Sequence, residues 1–117
     1  MNFSKEEKKI IGPFYMYLNK NRETIGDTYL MKWKGGTKIL ARFDTDYESD
    51  NNLELDDPNY EDFTSIVVRV KKLKFFNPLD GFKKDWLKEG VLFEFNYHDF
   101  PYEIYNSKGE LISKRED

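Results

Sequence analysis

The chain contains no cysteine in its 117 residues. That absence excludes disulfides, thiolate catalysis, iron–sulfur clusters and cysteine-based zinc sites. No apolar run approaches the roughly 20 residues that span a bilayer, and Met1–Lys9 offers no apolar stretch for a signal peptide. The expectation is therefore a cytoplasmic protein that does not engage a membrane. No glycine-rich phosphate loop occurs, because Gly35-Gly36 is used by a hairpin turn, and this argues against nucleotide enzymes. Internal repeats, low-complexity tracts and interdomain linkers are also missing, so residues 1–117 read as a single domain.

What is present suffices for a packed core. Ten Phe, eight Tyr and two Trp make the chain 17% aromatic, more than a disordered chain of this charge content carries. The formal net charge of −3 conceals an uneven distribution. Residues 44–62, DTDYESDNNLELDDPNYED, carry nine acids and no base, whereas residues 1–43 sum to +5 and residues 63–117 to +1.

Local patterns predict an α+β fold: an N-terminal helix, a strongly curled antiparallel sheet of five to six strands, and a short helix near 81–89. Ser4-Lys5-Glu6-Glu7 fits a capping box, with Ser4 accepting from the Glu7 amide and the Glu7 side chain reaching back to Ser4. Ile10, Ile11, Phe14, Tyr15 and Leu18 recur at helical spacing, but Gly12-Pro13 predicts a kinked or broken helix over 4–19, with 14–18 as a strand the competing reading. Thr28–Lys34 and Thr37–Phe43 alternate around Gly35-Gly36 as a hairpin with a two-residue turn. Phe63–Leu73 and Val91–Tyr97 read as strands, Asp80 as the cap of a helix stopping at Gly90, and 102–113 as a final hairpin through Asn106–Gly109. Ser113–Asp117 reads as a frayed tail.

No catalytic constellation emerges, and the chain is not expected to be an enzyme. His98 stands beside Asp99 where a general base could sit, but no Ser, Thr or Lys motif supplies a paired nucleophile. Asp46, Glu48, Asp50, Asn52, Glu54 and Asp57 partly echo a calcium loop, yet Asn51 replaces the turn glycine and Asp57 the bidentate Glu. The adjacent acids Asp56-Asp57 and Glu61-Asp62 lack the across-cleft geometry of a glycosidase. No metal or cofactor is expected.

Two binding readings remain. In the first, the acidic segment engages a basic protein partner through Asp44, Asp46, Glu48, Asp50, Glu54, Asp56 and Asp57. If the strand begun at Thr37 continues, Asp44, Asp46, Glu48 and Asp50 alternate along one side. Their repulsion then calls for an offset from calcium, from a basic patch at 69–74 or from the partner, and without one residues 49–58 are expected to be mobile. In the alternative, a small barrel binds single-stranded nucleic acid through Lys71, Lys72, Lys74, Lys83, Lys84 and Lys88 with Phe75, Phe76, Phe82 and Trp86. The pI near 5.3 and the acidic segment oppose that reading.

Three resemblances accompany these readings. Tyr29-Leu30-Met31-Lys32-Trp33-Lys34-Gly35 resembles the second strand of chromodomains over seven residues, without that family's Trp-Glu-Pro continuation, and no site residue is carried over. The order of Trp33-Lys34-Gly35-Gly36, Phe43-Asp44 and Asn51-Asn52-Leu53 is similar to that of Sm-like proteins, which implies a bent SH3/Sm-like barrel behind an N-terminal helix. The usual glycine of the second strand is replaced near Ala41, and the acidic loop does not suit RNA. Finally, an acidic chain rich in Tyr, Phe, Asn and Lys resembles small bacterial immunity proteins that neutralise a basic toxin, a likeness of class carried by no motif.

Overall fold

The computed structural model describes residues 4–21 and 26–115. Helix α1 spans Lys5–Lys20 and runs unbroken through Pro13. Proline removes only the hydrogen bond to the Lys9 carbonyl, and Lys9 is exposed, so water satisfies that oxygen. Ser4 caps the helix by accepting from the Glu7 amide at 3.1 Å. The other half of the expected capping box does not form: the Glu7 carboxylate instead accepts from the backbone amide of Thr64 at 2.7 Å. Glu7 is thereby 3% exposed and ties the first turn of the helix to the sheet.

Six antiparallel strands follow: β1 (Thr28–Lys32), β2 (Lys38–Asp50), β3 (Asp62–Phe75), β4 (Leu92–Phe95), β5 (Glu103–Tyr105) and β6 (Leu111–Lys114). Their order in the sheet is β4-β3-β2-β1-β5-β6, so β4 and β6 are its two edges. The sheet is open and does not close into the barrel considered from the sequence. Alternation places Tyr29, Met31, Ile39, Ala41, Ile66, Val68, Val70, Phe93, Phe95 and Ile104 in the core. Helix α1 covers this face with Ile11, Phe14 and Leu18. Phe14 meets Tyr29 and Phe100 edge-on, at centroid distances of 5.6 and 6.2 Å.

The β1–β2 hairpin turns through Lys34, Gly35 and Gly36, with Trp33 N–H on the Thr37 carbonyl at 2.9 Å and Gly36 N–H on the Trp33 carbonyl at 3.0 Å. The turn therefore has three residues rather than two, and Gly36 takes the positive φ of 104° that this loop length demands of its last residue. Asp80 does not cap a helix. It ends a 3₁₀ turn at Pro78–Asp80, and its carboxylate accepts from the amides of Gly35 and Thr37 at 2.7 and 3.1 Å, latching the glycine turn. The helix expected near 81–89 is reduced to a 3₁₀ turn at Lys84–Leu87, with Phe82 buried against Trp33 at 5.2 Å.

The β5–β6 hairpin forms as expected, its turn held by Asn106, whose side-chain oxygen accepts from Lys108 and Glu110. Ser113 and Lys114 belong to β6 rather than to a frayed tail, with Ser113 buried opposite Ile104. Arg115 continues the pairing by donating its amide to the Tyr102 carbonyl. Residues 116 and 117 lie outside the described residues.

Two predictions test this packing. Phe14→Ala should destabilise the fold by about 3–5 kcal/mol, while Met16→Ala on the 60% exposed side should stay within about 0.5 kcal/mol, both read by urea unfolding. A small Phe14 effect would contradict the helix–sheet core.

The second prediction concerns Glu7, whose carboxyl is pushed above its ordinary value of 4.5, chiefly by burial and further by Asp62 and Glu61, against the lowering effect of the Thr64 hydrogen bond. Protonation thus favours the folded state, and that contribution is lost as pH rises from 4.5 through the folded-state value. Glu7→Gln keeps an oxygen acceptor but cannot ionise, so its stability relative to the wild type should rise as pH climbs from 4.5 through the folded-state value and then level off. Glu7→Ala, which removes the carboxylate that accepts from the Thr64 amide, should cost about 1–3 kcal/mol. A flat relative stability for Glu7→Gln across that range would contradict the assigned burial.

Candidate functional site

Strands β2 and β3 are 13 and 14 residues long, and their neighbours are much shorter. β1 pairs with β2 only over residues 38–42, and β4 pairs with β3 only over residues 66–69. Beyond these ladders β2 continues through 43–50 and β3 through 62–65, and these residues are the arm; 43–46 still pair with the part of β3 that β4 flanks, so only 47–50 with 62–65 are two-stranded, an extension of roughly 13 Å at about 3.3 Å per residue. The acidic segment is this arm and its tip. The long loop expected between strands is shorter than the sequence implied, because residues 44–50 and 62 are strand and only 51–61 connect them.

A β-bulge interrupts the arm at its base. Phe43 stands opposite Val68 and Thr45 opposite Val67, so Asp44 is the extra residue. The alternating row of acids consequently begins at Asp46 and continues through Glu48 and Asp50, opposite Ile66, Thr64 and Asp62. Asp44 precedes the break and is not part of that row.

Asp46 is half-buried and accepts from the Tyr15 hydroxyl at 2.5 Å. Burial, followed by the Asp46 bond and charge, raises the Tyr15 phenol well above its ordinary range and keeps it a donor. Glu48, Asp50, Glu54 and Asp56 are exposed, and Asp57 is half-buried.

The connection 51–61 consists of linked turns. Asn51 donates its amide to the Glu61 carbonyl at 3.2 Å and its side-chain nitrogen to the Asn59 carbonyl at 2.8 Å. Asp57 N–H closes a turn on Glu54, and Tyr60 N–H closes the next on Asp57, at 3.0 and 2.9 Å. Asp50 and Asp57 accept from the amides of Asn52 and Asn59, each at 2.7 Å. Asn52 adopts a φ of 65°, a conformation that asparagine tolerates better than most residues.

Residues outside the predicted set fix the arm to the body. The Glu61 carboxylate accepts from the Tyr97 hydroxyl through one oxygen and meets His98 Nε2 at 2.6 Å through the other. The Tyr97 bond first, and His98 after it, hold the Glu61 carboxyl below its ordinary value against partial burial. The Tyr97 phenol is pushed far up by burial and by Glu61. On the opposite face, Tyr47 donates to Glu94 of β4 at 2.5 Å. These contacts join residues 36 and 47 positions apart, and the sequence carries no local signal for them.

The arrangement concentrates negative charge where the first turn of α1 meets the arm. Glu61 and Asp62 both raise the Glu7 carboxyl, and partial burial with Asp50, Asp62 and Glu48 raises the Tyr60 phenol. Among the described residues, no Lys or Arg forms an ion pair with an acid of 44–57. The basic patch expected to offset the arm lies at the other end of β3: Leu73 and Lys72 stand opposite Ile39 and Leu40, and Arg69 donates to the Gly90 carbonyl. Hydroxyls and the imidazole therefore stabilise the inner acids Asp46 and Glu61, while solvent screens the outer ones. Among the described residues, no three Asp, Glu or His side chains converge as a metal site would require.

The other predicted features fall elsewhere. His98 lines a cleft of about 310 Å³ with Trp33, Lys34, Asp99, Tyr102 and Arg115, in which its own nitrogen is engaged by Glu61. The aromatics proposed to interleave the lysines are divided between core and surface, since Phe82 is buried while Phe75 and Trp86 are exposed. Among the described residues, no helix is long and apolar enough to cross a membrane.

No curated protein and no solved structure matches the chain. A family model described as cognate immunity protein YxxD matches residues 13–117, a stretch that includes the second half of α1, all six strands and the whole acidic arm. The match covers well over half of the sequence, and the chain belongs to the family of the cognate immunity protein YxxD.

Proposed function

We propose that the protein neutralises a toxin by binding it, without catalysis, through the acidic arm formed by residues 44–62. Membership of an immunity-protein family supports a protein partner. The observation that carries the choice of surface is a projecting two-stranded arm whose acids have no Lys or Arg ion-pair partner among the described residues. The partner surface is accordingly basic. Uncompensated charge on a projection raises the encounter rate with a cationic surface more than it raises final affinity.

Asp44, Glu48, Asp50, Glu54 and Asp56 are the exposed acids of this reading. Asp46 serves the partner less directly, since its carboxylate is already held by Tyr15. Glu61 positions the arm through Tyr97 and His98.

The test is association kinetics with the purified cognate toxin across a salt series. Neutralising Asp44, Glu48, Asp50, Glu54 and Asp56 together to Asn or Gln should slow association about 10–100-fold at low salt and flatten its salt dependence. Neutralising Asp85 and Glu89, which lie outside the arm, should leave both unchanged. Equal association rates for the arm variant and this control would refute the reading.

A further inference from the structure

The arm ends in a feature that its charge does not explain. Leu55 is 81% exposed and Leu53 41% exposed, two residues apart in a connection otherwise made mostly of Asn, Asp, Glu and Pro. A single exposed leucine needs no explanation, but Leu55 occupies a specific position. The Asp57 amide closes its turn on the Glu54 carbonyl, so Leu55 and Asp56 are the two central residues of a β-turn. Leu79 takes the same kind of corner in the turn Asn77–Asp80, so what distinguishes Leu55 is its place at the tip of the acidic arm.

The turn is also tied by hydrogen bonds, where the unpaired charge of 49–58 predicts mobility. Asn51 bridges to Asn59 and Glu61 across the base of the loop, Asp50 and Asp57 each close a local amide, and Glu61 is clamped by Tyr97 and His98. A side chain presented on a tied loop loses little freedom on binding, which is the condition under which one apolar contact contributes strongly to affinity. Glu54, Asp56 and Asp57 flank it along the chain. The tip thus presents an exposed apolar side chain within an acidic stretch of chain.

We infer that Leu55, supported by Leu53, is the apolar anchor of the toxin complex and seats in a concave apolar pocket on the toxin rimmed by Lys or Arg. The inference rests on the arm reading and adds a division of labour: the acids set the rate of encounter and Leu55 sets the lifetime of the complex. Charge complementarity selects the basic rim, and the convex, exposed leucine selects the apolar floor.

The experiment measures association and dissociation rates of the full-length protein with the cognate toxin for Leu55→Ala, for Leu79→Ala and for the five-acid arm variant. Leu79 is the control because it is 90% exposed on the 3₁₀ turn Pro78–Asp80, away from the arm. Leu55→Ala should accelerate dissociation about 10–100-fold, as expected for withdrawing a buried leucine, with the association rate, its salt dependence and the melting temperature unchanged. Leu79→Ala should match the wild type. Dissociation of Leu55→Ala within twofold of Leu79→Ala overturns the anchor, and if the five-acid variant still associates slowly, the arm reading survives that result. If the five-acid variant also behaves as wild type, both are overturned.

Discussion

An antiparallel sheet with one apolar face must have that face covered, and here a single helix does so. Helix α1, roughly 24 Å long at 1.5 Å per residue, lays Ile11, Phe14 and Leu18 across the inward residues of the strands. Phe82 and Leu87 of the 82–87 segment complete the core beside it. Near the N-terminus of α1 the contacts with the sheet change in character. Glu7 accepts the Thr64 amide and Tyr15 donates to Asp46, so polar bonds replace apolar packing where the arm begins. Past that boundary β2 and β3 pair without a third strand; Thr64, Ser65 and Phe63 still turn inward, while Glu48 and Asp50 are exposed, so these two carboxylates stay in solvent.

Much of this architecture was legible in the sequence because it is local. Alternation in 28–33 and 37–43 around two glycines marked the first hairpin, Asn106–Gly109 marked the last, and Ser4 marked the start of the helix. The misread parts depend on distant partners. Asp80 resembled a helix cap but serves a turn 43 residues or more away, where the amides of Gly35 and Thr37 need an acceptor. Glu7 fitted a capping box but met the Thr64 amide, 57 residues on. Acids are depleted in strands, so residues 44–50 read as loop, and only the long ladder with 62–68 makes them strand.

The candidate site divides along the same line. The concentration of acids was plain from composition, whereas their individual roles were not. The bulge at Asp44 shifts the register by one and removes that residue from the row of Asp46, Glu48 and Asp50. Glu61 read as one more charge and as half of an adjacent acid pair with Asp62, yet its two hydrogen bonds to Tyr97 and His98 fix the far side of the tip. Leu55 carried no signal at all until the turn at Glu54–Asp57 placed it at a corner. A sequence reports charge per segment, but exposure and direction come only from the fold.

In the proposed reading partner binding falls to residues 44–62, whose outer acids Glu48, Asp50, Glu54 and Asp56 are exposed and take no part in the core. This separation allows residues 48–57 to vary in charge and shape without disturbing Phe14 or its neighbours. Hydrogen–deuterium exchange of the full-length protein, free and bound to its cognate toxin, tests that assignment most directly. The account predicts new amide protection concentrated in residues 44–62 and strongest in 51–60. Protection confined to β4, to β6 or to the lysine-rich stretch 69–88, with the arm exchanging as in the free protein, would contradict it.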